Sequence, residues 1–297
     1  MSTIAGPNSA VVKAHIARLH YVRRVAKQDI AARLGMSRFK VARLLEDAVA
    51  EGIVRFDIRE PVEVDDERSR ALEAAFGLDL AVVVRDGGDD GAAARAAAAW
   101  LPELVRGTDT VGVSWGATLQ RVADALVSPP APLDLRVIQV CGAVPGLEPG
   151  TGPAETTQRF AERLGGRPYP LHAPALASRG ARDELASNPV IAPIVDMFDR
   201  VQLAVVGIGQ ASALPGAPPD AAGHLLVHVY DDQGRPIGSD ISEMAISMSV
   251  DQLRRTRVAA VATGPAKSQA VLGALRTGLL NVLFTDPRCA SDALERQ

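Results

Sequence analysis

Residues 28–58, QDIAARLGMSRFKVARLLEDAVAEGIVRFDI, constrain the fold more tightly than any other stretch of the chain. Ile30, Ala31 and Leu34 place apolar side chains on one side of a short helix over 28–34. Gly35 then supplies a residue that tolerates φ > 0 in a tight turn. Ser37 is a good N-cap, because its hydroxyl accepts an orphan backbone N–H of the helix that follows. Val41, Leu44, Leu45 and Ala48 repeat at helical spacing and leave Arg38, Phe39, Lys40 and Arg43 on other faces. Gly52 ends that helix, and residues 53–58 alternate like a short strand. Helix, turn, helix and a strand-like wing describe a winged helix-turn-helix. Its second helix would enter the major groove of DNA by its N-terminal end.

Charge separates this segment from the rest. Residues 1–60 hold 11 Lys+Arg against 6 Asp+Glu, a net of +5. The other 237 residues hold 21 against 29, a net of −8, which together give −3. A positive segment on a negative body suits phosphate neutralisation at one end. The expected operator-reading residues are Gln28, Ser37, Arg38, Phe39, Lys40 and Arg43.

A helix is expected over 11–26, buried through Val11, Val12, Ile16, Leu19, Val22 and Val25. Pro61 breaks the wing, and VEVDDERSR reads as a charged linker at the boundary between a domain of residues 1–60 and one of residues 61–297. A helix over 67–76 leads into the second domain. There, continuous apolar runs at 80–84, 110–113, 135–140, 203–206, 258–262 and 282–285 read as buried strands. Helical segments at 91–106, 116–127, 154–164, 189–199 and 265–277 separate most of them. Strands without in/out alternation, spaced by helices, argue for a parallel sheet covered on both faces. Ligands bind such sheets beyond the carboxyl ends of the strands.

Four post-strand loops carry candidate binding residues. Ser114-Trp115-Gly116-Ala117-Thr118 runs into a helix N-terminus, where backbone N–H groups can hold an anion. Gly142 lies in the second loop, and Gly207 and Gly209 lie in the third, where missing side chains let a ligand approach the backbone or serve packing. The fourth contains Lys267. The chain has 28 arginines and four lysines, and Lys13, Lys27 and Lys40 all precede residue 61. Lys267 is thus the sole lysine of 61–297, in the first turn of a helix, where its charge would reinforce an anion site. His224 and His228 fall on one face of an expected strand without a third ligand, so no metal is expected.

Composition excludes other classes. No apolar run approaches the roughly 18–20 residues of a membrane span. The first residues lack the pattern of a secretory signal, and Cys141 and Cys289 cannot make a disulfide framework, which points to a reducing cytoplasm.

The motifs together resemble the SorC family of bacterial sugar-responsive transcription regulators. The likeness rests on the 28–58 stretch, GVSWGATL, LHAPAL, VVGIG, DDQGRPI and VATGPAKSQAVLGALRTGLLNVLFTD, which span nearly the whole chain. It implies an α/β protein with an N-terminal all-α winged helix-turn-helix. A Rossmann-like parallel-sheet effector domain would follow, similar to sugar-phosphate isomerases and deaminases. It also implies operator DNA as partner, a sugar, polyol or sugar phosphate as effector, and a homodimer or homotetramer, with no cofactor and no catalytic residues. By resemblance, Ser114, Gly116, Ala117 and Thr118 would cradle a phosphate and Lys267 would join them. Where many members have Gly-Asp or a Glu, this chain has Gly223-His224, which leaves phosphorylated and free sugars both open. The alternative reading is an isomerase- or deaminase-like enzyme with a DNA-binding appendage. Its general base would come from Glu155, His172 or His224.

Overall fold

The computed structural model describes residues 7–56, 62–85, 91–129, 133–144, 151–214 and 216–297. Two compact units divide the chain, Met1–Glu60 and Pro61–Gln297.

In the first unit, α1 (Pro7–Ala17) runs into a π-helical turn, Arg18–Val22. Then come α2 (Lys27–Leu34) and α3 (Arg38–Ala50). Gly35 closes α2 at φ 62°, and the Ser37 hydroxyl caps α3 by accepting the Lys40 N–H at 3.1 Å. Ile16, Leu19, Ile30, Val41, Leu45 and Ala48 form the core. Three expectations fail here. Val11 and Val22 are 68% and 75% exposed and Val12 is also exposed, because α1 turns its Lys13–Ile16–Ala17 face inward. Lys13 is buried there because its ammonium pairs with Glu51, 2.5 Å away at the end of α3. The 11–26 helix also stops early, with Arg24 at φ 54°. Residues 53–56 form no strand; 57 and 58, the rest of the expected wing, lie outside the described residues.

The second unit begins earlier than its charged sequence suggests. Val64 bridges Val84, the Asp65 N–H donates to Val83 O at 2.7 Å, and the Asp65 carboxylate caps α4 (Asp66–Phe76). Residues 62–69 are therefore not a linker: Arg68 and Arg85 neutralise Asp65, and Val62 and Val64 pack on the core. β1 (Leu80–Val83), α5 (Ala92–Leu104), β2 (Thr110–Val113), α6 (Ala117–Ala125) and β3 (Arg136–Gln139) follow. After them come α7 (Pro153–Leu164), β4 (Arg167–Tyr169), α8 (Arg179–Ala186), α9 (Ala192–Val195) and β5 (Leu203–Gln210). A hairpin region holds β6 (Gly223–Leu225), β7 (His228–Tyr230) and β8 (Pro236–Ile237). The chain then passes through α10 (Ser239–Met244), α11 (Val250–Arg255), β9 (Arg257–Ala262), α12 (Ser268–Arg276), β10 (Val282–Thr285) and α13 (Pro287–Glu295).

Seven strands form a parallel sheet in the order β1-β10-β9-β5-β2-β3-β4. Both faces are buried. Leu203 and Val205 of β5 join one apolar cluster, while Ala204 and Val206 join the other. That two-sided burial explains the unalternating apolar runs in the sequence. β9, β5 and β2 are adjacent and parallel, so the loops after them meet at one end of the sheet.

Several elements differ from expectation. The helix over 189–199 breaks into α9 and a 3₁₀ turn, Phe198–Arg200. The helix over 265–277 begins as a 3₁₀ turn, Pro265–Lys267, before α12. His224 and His228 lie on two antiparallel strands, not on one, with Leu226 and Val227 between. β4 and β8 carry no recognisable apolar pattern in the sequence.

The small core of the first unit, to which Ala17 and Ala31 also belong, offers little redundancy. Ile30→Ala is expected to destabilise that unit by about 2–5 kcal/mol, by lost transfer energy and a residual cavity. Limited proteolysis within residues 1–60, followed against denaturant, would show it; an unchanged profile contradicts this packing.

Candidate functional site

Two sets of residues stand out, one in each unit. In the first, Arg38, Phe39, Lys40 and Arg43 are exposed along the start of α3, and Gln28 is exposed in the first turn of α2. Phe39 is 87% exposed. Among the described residues, Arg38, Lys40 and Arg43 form no ion pair, so three cations project without internal neutralisation.

In the second unit, a cavity of about 460 Å³ opens beyond the carboxyl ends of β2, β5 and β9. That lies within the roughly 300–1,000 Å³ typical of small-ligand sites. Ser114, Trp115, Gly116, Ala117, Thr118, Gly207, Gly209, His224 and Lys267 all line it. Gly142 does not. A Cβ there would lie 2.3 Å from Pro174 O, and its N–H donates to Ile246 O, so this glycine serves packing. Sequence reasoning did not name Val144, Thr151, Ile208, Gln210, Ala213 and Leu226 as site residues, and they complete the described wall. Ile208 and Gln210 had a signal in their places beside Gly209.

One end of the cavity holds a helix N-terminus and a lysine. Gly116 precedes α6 at φ 119°, a conformation that favours glycine. The first helical hydrogen bond runs from the Gln120 N–H to Gly116 O, so the N–H groups of Ala117, Thr118 and Leu119 lie ahead of the ladder. The Ser114 hydroxyl accepts the Gly207 N–H at 3.2 Å and ties the ends of β2 and β5 together. Lys267 reaches in from the loop after β9 and donates to Thr118 Oγ1 at 3.4 Å. It has no carboxylate partner among the described residues. Burial holds its ammonium below the ordinary lysine value, opposed by Cys289 and reinforced by the Arg121 cation. Asp286 braces this loop: Oδ2 accepts the Gly264 N–H at 2.6 Å and Oδ1 accepts the Cys289 N–H at 2.8 Å, capping α13.

The other end is neutral. His224 stacks on Trp115 with ring centroids 6.5 Å apart and planes 25° off parallel. Its Nδ1 lies 2.7 Å from Leu226 O, and its buried Nε2 has no hydrogen-bond partner among the described residues. Leu226 carries that carbonyl at φ 54°, a left-handed conformation that non-glycine residues rarely adopt. Burial holds the imidazole below the ordinary histidine value; the bond to Leu226 opposes this and the Lys267 cation adds to it. Of the other candidate bases, Glu155 and His172 are exposed and neither lines the cavity. Among the described residues, no cluster of three or more His, Cys, Asp or Glu could hold a metal.

His224 and His228 are both held below the ordinary histidine value of 6.5, each first by burial. The unfolded chain therefore takes up protons near 6.5 while the folded chain resists them, and stability is lost as pH falls below that value. The melting temperature is expected to drop between pH 7.5 and 5.5, and to drop less in His224→Gln. Equal drops in both would show that His224 does not contribute.

Residues 60–295 match the Sugar-bind family model, described as "Putative sugar-binding domain". The Deoxyribonucleoside regulator of Bacillus subtilis is 29% identical over 297 residues, covering 92% of this chain and 94% of that protein. The erythritol catabolism regulatory protein EryD of Brucella abortus is 27% identical, with 92% of each covered. The crystal structure of the full-length sorbitol operon regulator SorC from Klebsiella pneumoniae superimposes with a TM-score of 0.72 at 24% identity. That match covers 97% of this chain and 99% of SorC, and it is a likeness of fold. Among the described residues, no helix is long and apolar enough to cross a membrane. With most of its length matched by the family model, and with operon regulators related to it end to end, the chain belongs to the SorC-type family of regulators with a sugar-binding domain.

Proposed function

We propose that this protein is a cytoplasmic transcription regulator of a carbohydrate-catabolism operon. In this reading, residues 1–60 are a winged helix-turn-helix that binds operator DNA, and residues 61–297 are a Rossmann-like effector and oligomerisation domain. A sugar, polyol or sugar phosphate bound in the 460 Å³ cavity shifts the balance between DNA-binding and released states. The relatives named for deoxyribonucleoside, erythritol and sorbitol regulation favour a carbohydrate.

One observation carries the reading. Lys267, the sole lysine of residues 61–297, is half-buried beside the N-terminus of α6 and has no carboxylate partner among the described residues. A cation in that position is stabilised by an anion, and α6 offers that anion backbone N–H donors. Ser114, Gly116, Ala117 and Thr118 form the cradle. Trp115 and His224 face the carbon skeleton, and the bare backbone of Gly207 and Gly209 gives it room. A thermal-shift screen against free and phosphorylated sugars and polyols tests this, since a ligand of the folded state raises the melting temperature. Lys267→Ala is expected to weaken a phosphorylated effector by about one to two orders of magnitude, the worth of a charge-assisted hydrogen bond. Affinity for DNA without effector should persist. Undiminished affinity in Lys267→Ala ends the phosphate assignment.

On DNA, Arg38, Lys40 and Arg43 would face bases and phosphates, Phe39 a thymine methyl, and Gln28 and Ser37 the backbone. A homodimer or homotetramer matches the two-fold symmetry of paired half-sites. Using DNA selected by the protein from a random pool, Arg38→Ala and Arg43→Ala are expected to lose about 1–3 kcal/mol of binding. Effector affinity should not change. Unchanged DNA affinity in both variants refutes this placement.

A further inference from the structure

The two buried histidines of the β6–β7 hairpin differ in a way that packing does not explain. His228 places Nε2 2.6 Å from Met248 O and Nδ1 3.4 Å from Ser242 Oγ, so both nitrogens have partners. His224 uses only Nδ1. A carbonyl oxygen accepts and never donates, so the 2.7 Å contact with Leu226 O places the proton on Nδ1. Among the described residues no Asp or Glu lines the cavity to favour a charged ring, and Lys267 disfavours one. Nε2 is therefore an unpaired lone pair, shielded from solvent beside Gly209, on a ring that lines the cavity.

The surroundings are built around that atom. A Cβ at Gly209 would fall 2.0 Å from Nε2, so the strand residue beneath the ring is one without a side chain. The Leu226 carbonyl that fixes the tautomer is held by a left-handed residue that is not glycine. Trp115 presents an apolar face beside the imidazole. A buried acceptor left unpaired is costly, and a donor supplied by a ligand removes the cost.

We propose that Nε2 of His224 accepts a neutral hydroxyl of the bound ligand. It thereby selects a polyhydroxylated compound with a hydroxyl at this position over one that presents a carboxylate there. The proposal rests on the reading of the cavity as the effector site. A hydroxyl can donate to the lone pair, whereas a carboxylate brings only lone pairs and negative charge against it. The anion end at Lys267 and the neutral end at His224 thus give the ligand a polarity, with its charged group at α6 and its hydroxyl at the hairpin.

Calorimetric titration of the full-length protein tests this with erythritol and glucitol, their terminal phosphates, the corresponding aldonate phosphates, and inorganic phosphate. The expected result is that a polyol phosphate binds at least about tenfold more tightly than its aldonate counterpart. His224→Phe should lose about tenfold toward the polyol phosphate and nothing toward inorganic phosphate. Nitrogen-15 spectra of the unsubstituted protein, labelled at histidine, serve if that variant does not fold. The His224 Nε2 resonance should move on saturation with the polyol phosphate and stay in place with inorganic phosphate. Polyol binding with an unmoved Nε2 resonance, or equal affinity for aldonate phosphates, overturns the proposal and leaves the effector site standing. If none of the probes binds, the reading of the cavity falls and the proposal falls with it.

Discussion

β5 changes role partway along its length, and the second unit depends on that change. Leu203–Val205 pairs on both sides with parallel strands, β2 and β9, Val206 and Gly207 continue the pairing with β9, and the segment sits between the two apolar layers. Ile208, Gly209 and Gln210 then leave the parallel sheet and pair antiparallel with β6. One continuous strand thus fixes the floor of the cavity and suspends the hairpin carrying His224 beside it. Register is transmitted through backbone hydrogen bonds, so the imidazole is placed by the sheet and not by a mobile loop.

The three loops around the cavity are joined by direct bonds as well as by their strands. The Ser114 hydroxyl holds Gly207, the Gln210 side chain donates to Ala266 O at 2.7 Å, and Lys267 reaches Thr118. Each contact crosses from one strand end to the next. The resulting ring has a positive side and a neutral side, with no carboxylate in its wall among the described residues. Preorganised donors of this kind need little rearrangement to receive an anion.

Much of this was legible in the sequence, for identifiable reasons. Buried parallel strands read as apolar runs, which placed β2 and β10 at their observed limits. Glycines after strands and a lone lysine marked three loops that the fold brings to one cavity. Gly142 failed because a glycine required by the nearby Pro174 carbonyl looks, in sequence, like one required by a ligand. The charged run over 62–69 failed because its Asp65 is an internal helix cap, neutralised by arginines close in space. Strands of two or three residues are too short for a periodicity to register. The unpaired state of His224 Nε2 depends on a backbone turn at Leu226 that no residue type announces.

Asp286 gives the far end of the chain an unexpected reach. Its two oxygens join the first turn of α13 to Gly264, three residues before Lys267, so one carboxylate serves a terminal helix and a cavity loop together. The Arg276 guanidinium adds a second tie, bonding the carbonyls of Arg296 and of Asp232 in the β7–β8 turn. The C-terminal helix therefore acts as a clasp on the walls of the cavity. A shortened chain ending before Pro287, or a fusion partner that pulls on α13, would disturb that clasp while leaving every cavity-lining residue in the sequence.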